Sequence, residues 1–326
     1  MYTKKRYKWG ILTAGRMSAK FVQALKLLDN ADLYAVAARD LSRAKLFAEE
    51  HGIKKYYGSY QALAMDPEVE VVYIASPHSH HFEHTMLCLK NGKAVLCEKA
   101  FALDASDVQT MIREARLQKR FLMEALWPPF QPLYKKAKEL LQLGEIGRLI
   151  HIDARFGLQP PYDPSNRKFN RSLGGGSLLD IGIYPIHDVL YFMGTPDSLA
   201  AKATFTELGV EESIQIIFGL ESGQTATVLS SYKIDAGIGC TLYGEKGNIS
   251  FSRRRDMSQQ LIVSVQGKAP VEFCDTPLGM GYHFEAQEVM RCLDKGVIES
   301  QVVPHTFSLA LMMVMDRVRG EVGIEY

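Results

Sequence analysis

Nowhere in this sequence do apolar residues run for the about 18 positions that a membrane-spanning helix needs, so no transmembrane segment is expected. A secretory leader is not expected either. The basic start, Met1-Tyr-Thr-Lys-Lys-Arg-Tyr-Lys8, is followed by apolar residues only from Trp9 to Leu12, before Thr13-Ala-Gly-Arg16. Cysteine is sparse and unpatterned. Five residues, Cys88, Cys97, Cys240, Cys274 and Cys292, are widely spaced with no Cys-x-x-Cys, which excludes a disulfide framework or zinc knuckle and points to reduced thiols. No charge of one sign dominates: 38 Lys and Arg against 37 Asp and Glu leave +1, so neither nucleic acid nor a membrane surface is the expected partner. Internal repeats and low-complexity stretches are absent too. The expectation is a soluble, cytoplasmic protein.

What is present is the composition of an ordinary globular chain, 47% apolar and 23% charged, in 326 residues. Single cores stop growing near about 250–300 residues, so two domains are expected. Up to about residue 125 apolar runs alternate with helical periodicity. Residues 8–13, 33–38, 69–75, 94–97 and 121–123 read as strands, and 18–28, 42–51, 81–90 and 105–118 as helices. Such alternation indicates βαβ units and a parallel sheet. Trp127-Pro-Pro-Phe130 interrupts it, and the domain boundary is placed there, giving domains 1–125 and 126–326. Beyond a helix at 132–143 and a Gly/Pro-rich loop at 157–176, one helix spans 178–193. Strand-like runs follow at 199–206, 213–218, 224–231, 241–243, 248–251 and 261–266 without helices between them, the pattern of a mostly antiparallel sheet. Helices at 283–295 and 306–319 close the chain. The fold class is α/β: an N-terminal Rossmann parallel sheet plus a C-terminal α+β domain with a large open sheet.

Gly10-Ile-Leu-Thr13-Ala-Gly15-Arg-Met-Ser18 stands where a dinucleotide fingerprint belongs, between the first strand and first helix. Thr13 replaces its first Gly and Ser18 its third. Gly15 remains where backbone must approach the pyrophosphate, with Arg16 and Met17 opening the helix. At the tip of the second strand, where NAD enzymes usually hold the ribose with an acid, the chain reads Ala38-Arg39-Asp40-Leu-Ser42-Arg43. Arg39 and Arg43, one turn apart around Ser42, suit a 2′-phosphate, and the cofactor is predicted to be NADP rather than NAD. After the strand at 69–75 comes Ser76-Pro77-His78-Ser-His80-His81-Phe-Glu-His84. Four histidines invite a metal, but nothing singles out further ligands, so no metal is expected. The segment reads instead as a loop at the carboxyl edge of the sheet, with Ser76, Pro77, and His78 or His81 towards the cofactor.

Glu98-Lys99 follows the apolar run 94–97, at the end of the strand where open α/β sheets place ligands. An isolated Glu-Lys pair is usually a surface ion pair. Here the later segment Gly174-Gly-Gly-Ser-Leu-Leu-Asp180-Ile-Gly-Ile-Tyr184 offers a partner. Oxidising a carbinol needs a base for the hydroxyl proton, and a tyrosine, with an ordinary pKa near 10, needs a neighbouring cation to act near neutrality. Lys99 can supply that charge, Tyr184 the proton site, and Asp180 a hydrogen bond to the substrate or the lysine. The triple glycine lets backbone pass close to a ligand.

These residues in this order resemble the glucose-fructose oxidoreductase/inositol dehydrogenase (Gfo/Idh/MocA) family over essentially the whole chain. Glu98-Lys99 matches a family signature with Ala100 for the usual Pro. Asp180-Ile-Gly-Ile-Tyr184 matches the Asp-x-Gly-x-(His/Tyr) segment, and Pro77-His78-Ser-His-His81 matches Thr-Pro-Asn-x-x-His with His78 for Asn. The resemblance implies a C-terminal domain built on a large open sheet, Trp127 and Phe156 lining the substrate pocket beside Asp180 and Tyr184, and dimerisation through that sheet. The sequence adds that Ile217 and Ile262 fall opposite the main apolar face of their strands, so a homodimer joined sheet to sheet is expected.

The function expected is an NADP-dependent oxidoreductase acting on a secondary alcohol or hemiacetal carbon of a sugar or cyclic vicinal diol. Two alternatives stand beside it. One is a non-catalytic NADP-binding regulator, against which the joint presence of Lys99 and Tyr184 argues. The other is a lyase or isomerase with tightly bound cofactor, which would turn over with no net change in NADPH.

Overall fold

A computed structural model of the chain describes residues 5–253 and 258–326. Residues 1–4 of the basic start lie outside that description. By packing, the chain divides into two compact units. One runs to Phe130 and includes Leu278–Leu309; the other comprises Gln131–Pro277 and Ala310–Tyr326. The first crossing falls five residues beyond the boundary expected at 125. Residues 278–309, expected with the second domain, pack with the first.

The first unit is wound as the alternation requires: β1 (Tyr7–Leu12), α1 (Arg16–Leu25), β2 (Ala31–Ala37), α2 (Leu41–His51), β3 (Lys55–Tyr57), α3 (Tyr60–Met65), β4 (Val71–Ile74), α4 (His81–Lys90), β5 (Ala94–Glu98), α5 (Ala105–Gln118) and β6 (Leu122–Ala125). The six strands form one sheet in the order β3-β2-β1-β4-β5-β6, every pair parallel. All four residues of β4 are buried, as expected of a strand covered on both faces. The order reverses between β1 and β4, and that switch point is where open sheets leave a crevice at their carboxyl ends. Local chemistry sets the helix starts: Asp40 accepts from Arg43 N at 2.8 Å, and Asp104 from Asp107 N at 2.9 Å.

The second unit opens with α6 (Pro132–Gln142), with Pro in its first turn, and β7 (Leu149–Gly157). A single π-helical turn, Leu178–Gly182, then runs into α7 (Ile183–Met193). The strands β8 (Ser198–Phe205), β9 (Glu211–Gly219), β10 (Thr225–Ser231), β11 (Gly237–Gly244), β12 (Gly247–Arg253), β13 (Gln259–Val265) and β14 (Val271–Asp275) complete it. With β7 they make an eight-stranded sheet, β14-β13-β12-β11-β7-β10-β9-β8, antiparallel except for the β7–β10 pair. α7 packs on β7, β10 and β11, and Ile152, Ile214, Phe218, Val228 and Leu242 are buried on the strands.

The remaining helices are α8 (His283–Asp294) and α9 (His305–Val322). The first unit holds the return segment through long-range bonds. Tyr7 donates to Asp294 at 2.7 Å, Leu122 N to Ile298 O at 3.0 Å, and His305 Nε2 to Leu122 O at 2.9 Å. Among the described residues no helix is long and apolar enough to cross a membrane. The five cysteines form no disulfide, and four of them are buried.

Candidate active site

In the first unit the expected cofactor residues gather at the carboxyl ends of the strands. Thr13, standing for a glycine, has a φ of 100°, a region that β-branched residues rarely enter. Its side chain holds it there. The hydroxyl donates to Ala75 O at 3.0 Å and meets Ser18 Oγ at 3.1 Å, while Thr13 N donates to Ala37 O at 3.1 Å. Gly15 caps α1 with no side-chain acceptor, and a Cβ placed on it would meet only Thr13 Oγ1, at 3.9 Å. An open helix N-terminus of this kind suits a pyrophosphate, so the residues fit a dinucleotide. Arg16 is exposed and Met17 half-buried on the first turn of α1.

Arg43 closes over this turn. Its Nε and Nη2 donate to Ala14 O at 3.2 and 3.0 Å, and the exposed Arg39 and Ser42 stand at the same edge. Both guanidiniums act on the Tyr60 ring, opposing the rise in its pKa that burial causes. Asp40, the acid between them in sequence, accepts from Arg43 N as the α2 cap.

The histidines separate into distinct roles. His81 is fully buried, its Nδ1 2.7 Å from Ala100 O and its Nε2 2.8 Å from Ser76 O. Burial pulls its pKa down to about 4, against the pull of both carbonyls. The neutral ring carries one N–H, so it donates to one carbonyl at a time. It thus ties down either the loop after β4, at Ser76 O, or the loop after β5, at Ala100 O. His84 takes Ser76 Oγ at 2.9 Å, and burial likewise brings its pKa down to about 4. His78 is buried, its ring edge-on to His81, while half-buried His80 lies 2.9 Å from Ser79 Oγ. Pro77 caps the turn that holds His78 to His80.

Glu98 ends β5 and accepts from Tyr73 Oη at 2.6 Å; Lys99 follows, half-buried, and the Lys99–Ala100 peptide is cis. Phe101 N donates to the buried Glu124 at 3.1 Å, where burial pushes the carboxyl up to about 7. Trp127 is buried at 5% exposure.

The second unit gathers its own set. Tyr184, in the first turn of α7, packs on a buried cluster of Phe156, Phe169, Ile181 and Tyr232, its ring 5.7 Å from that of Phe156. Asp180 lies in the π turn just before it. One carboxylate oxygen accepts from Arg167 Nη2 at 3.1 Å and the other from Tyr232 Oη at 2.7 Å. Burial and the Asp180 charge hold the Tyr232 hydroxyl well above its ordinary pKa, so it stays the donor.

Two family models match this chain: "Oxidoreductase family, NAD-binding Rossmann fold" over residues 7–126, and "GFO/IDH/MocA C-terminal domain" over residues 134–250. The chain belongs to the GFO/IDH/MocA family. It is similar over 98% of its length to trans-1,2-dihydrobenzene-1,2-diol dehydrogenases: 38% identical to that of Xenopus tropicalis, covering 99% of the relative, and 36% to the human protein, covering 98%. A 3-ketoreductase from Actinomadura kijaniata, solved with NADP and TDP-benzene, shares the fold at a TM-score of 0.88 and 22% identity, with 98% of each chain covered. An aldose-aldose oxidoreductase from Caulobacter crescentus does so at 0.88 and 23%, with the same coverage. The chain is thus an oxidoreductase of the GFO/IDH/MocA family, with the NAD-binding Rossmann sheet and mostly antiparallel second sheet read from its sequence.

Two of the three glycines, Gly175 and Gly176, make room for the chain itself. A Cβ on Gly176, whose φ is 115°, would meet Glu211 Oε2 at 1.8 Å, and one on Gly175 would meet Asn170 O and Arg167 O at 2.7 Å. Glu211 is buried, accepts from Leu178 N, and has its pKa pushed up to about 8 by that burial. Arg167, Tyr232 and Glu211 were not singled out by sequence reasoning. Each meets the Asp180 segment across 13 to 52 positions of chain, and no local spacing signals such a contact.

Proposed function

We propose that this oxidoreductase is NADP-dependent and moves hydride between the nicotinamide and a secondary alcohol or hemiacetal carbon of a sugar or cyclic vicinal diol. The observation that carries the reading is the phenol of Tyr184 set just after an Asp180 carboxylate whose oxygens accept from Arg167 and Tyr232. Relatives of full-length similarity, named for a cyclic vicinal diol, support this substrate class. Bound NADP supplies the hydride acceptor, or the donor in reverse. In the oxidative direction Tyr184 Oη takes the carbinol proton as the C–H bond breaks and C=O forms. Lys99 supplies the positive charge that stabilises Tyr184 as the phenolate, the form that takes the proton, and steadies the oxygen losing it. Trp127 and Phe156 bring apolar surface to the substrate. Arg39, Ser42 and Arg43 take the 2′-phosphate, and the backbone from Thr13 to Met17 takes the pyrophosphate. Ser76, Pro77, His78, His81 and Glu98 complete the loops around the nicotinamide end. Thiols kept reduced suit the cytoplasm.

Assays with cyclic trans-diols, pentoses and hexoses, followed by nicotinamide absorbance with each cofactor, test this reading. NADP-dependent oxidation of at least one class is expected. Turnover without net NADPH change would instead establish the lyase or isomerase reading. Tyr184→Phe and Lys99→Ala are each expected to lower kcat by roughly 100-fold or more, with NADP affinity largely kept. Near-full activity in Tyr184→Phe would move the proton site elsewhere.

A further inference from the structure

The loop at 157–176 is fastened to the rest of the second unit at charged points, Arg167 at Asp180 and Arg171 at Glu325. Arg167 opens a short turn, Arg167–Phe169, whose Phe169 is buried edge-on to Tyr232 with ring centroids 5.6 Å apart. Asn166 caps the turn by accepting from Lys168 N at 3.1 Å, and Gly176 N returns to Lys168 O at 2.8 Å. The Arg167 backbone is therefore fixed. Its side chain is 43% exposed, while that of Asp180, which it meets at 3.1 Å, is 10% exposed. The far oxygen of Asp180 is held by Tyr232, so the carboxylate cannot swing away from the guanidinium.

A guanidinium offers donors in one plane, and a carboxylate accepts on several lone pairs. Side by side they present a donor and an acceptor within one hydrogen-bond length. A neutral hydroxyl satisfies both at once, accepting from Arg167 and donating to Asp180. A substrate carboxylate or phosphate would gain Arg167 but face the Asp180 charge. A carbonyl can accept only. We propose that Arg167 is a specificity-determining residue that, together with Asp180, reads a free hydroxyl on the carbon next to the reacting carbinol. The proposal rests on the reading of Tyr184 as the proton site, because Asp180 stands in the turn before it.

The test compares trans-cyclohexane-1,2-diol with cyclohexanol in wild type and in Arg167→Met and Arg167→Lys, with NADP affinity and melting temperature measured alongside. Removing a charge-assisted hydrogen bond to the second hydroxyl should lower the ratio of kcat/KM for diol over mono-alcohol by roughly 10- to 100-fold in Arg167→Met. Arg167→Lys, which keeps a cationic donor, should recover part of it. Equal losses on both substrates would make Arg167 a structural anchor and overturn the proposal, as would an unchanged ratio. If Arg167→Met fails to fold, an unaltered ratio in a folded Arg167→Lys variant overturns it equally. A wild type that oxidises neither carbinol nor any sugar would defeat the functional reading itself. An active wild type with no change of ratio defeats only this assignment.

Discussion

At Thr13 a side chain offsets a backbone conformation that glycine would adopt without cost. Strain at a left-handed non-glycine residue is about 1–3 kcal/mol, and the hydroxyl's contacts with Ala75 O and Ser18 oppose it. Thr13→Val keeps the branched Cβ and loses both contacts, so it should lower unfolding stability by about 1–3 kcal/mol. Thr13→Gly sheds strain together with the contacts and should lie closer to wild type. Chemical denaturation that ranks Thr13→Gly below Thr13→Val would refute this account. At the strand tip the charges of Arg39 and Arg43 both act on the Tyr60 hydroxyl, and Asp40 is engaged as a helix cap. Arg39→Ser should therefore weaken NADP binding by roughly 10-fold or more and leave NAD binding nearly unchanged. Equal effects on the two cofactors in a titration would remove the arginines from the 2′-phosphate.

At the scale of elements, five of the six parallel strands were legible because burial on both faces leaves continuous apolar runs, as in β4 and β5. β7, at the middle of the second sheet, was missed although it alternates cleanly. Ile152, Ala154 and Phe156 are buried, but His151, Asp153 and Arg155 stand between them, and a strand with a charged face lacks an apolar run. β3 and α3 are three and six residues long, too short to show a period. The helix read at 178–193 is correct in extent, yet its first turn is a π turn, set by Glu211 at Leu178 N. Tertiary contact decides that geometry, so sequence could not. Glu211 also links this element to pH. Its carboxyl is raised by burial from 4.5 to about 8, with Asp180 adding repulsion. The folded state therefore holds the proton more tightly than the unfolded chain. The stabilisation is complete below the unfolded value and is lost as pH rises through about 8. Glu211→Gln keeps an acceptor for Leu178 N without the charge. It should melt at a higher temperature than wild type near pH 9, with a shallower decline between about pH 5 and pH 9. A decline as steep as that of wild type would place the buried charge elsewhere.

For the whole molecule, the open face of the eight-stranded sheet bears on assembly. α7 covers the side that carries Ile214, Ile216 and Phe218. The opposite side mixes polar and charged residues, among them His151, Asp153, Arg155, Lys202 and Glu272, with a few apolar ones. Ile217 is 59% exposed and Tyr243 42%, and half-buried Leu229 and Ile262 lie across from Gln215 and Arg155, and from Ser250 and Glu272, respectively. Ile217 pairs with Thr227 on β10 and Ala200 on β8, so nothing bulky flanks it on either strand. A second copy laid on this face would pair like with like, which suits an isologous two-fold interface. The apolar area is modest, and affinity would rest on shape and hydroxyl contacts as much as on burial. The assembly proposed is accordingly a homodimer joined sheet to sheet. Sedimentation should show a mass near twice that of the chain at micromolar concentration. Ile217→Lys, which puts a charge on this face of each copy, should shift the equilibrium towards monomer by roughly 10-fold or more without altering NADP affinity. A monomer mass independent of concentration in wild type would rule the dimer out. An Ile217→Lys variant as dimeric as wild type would move the interface off this face.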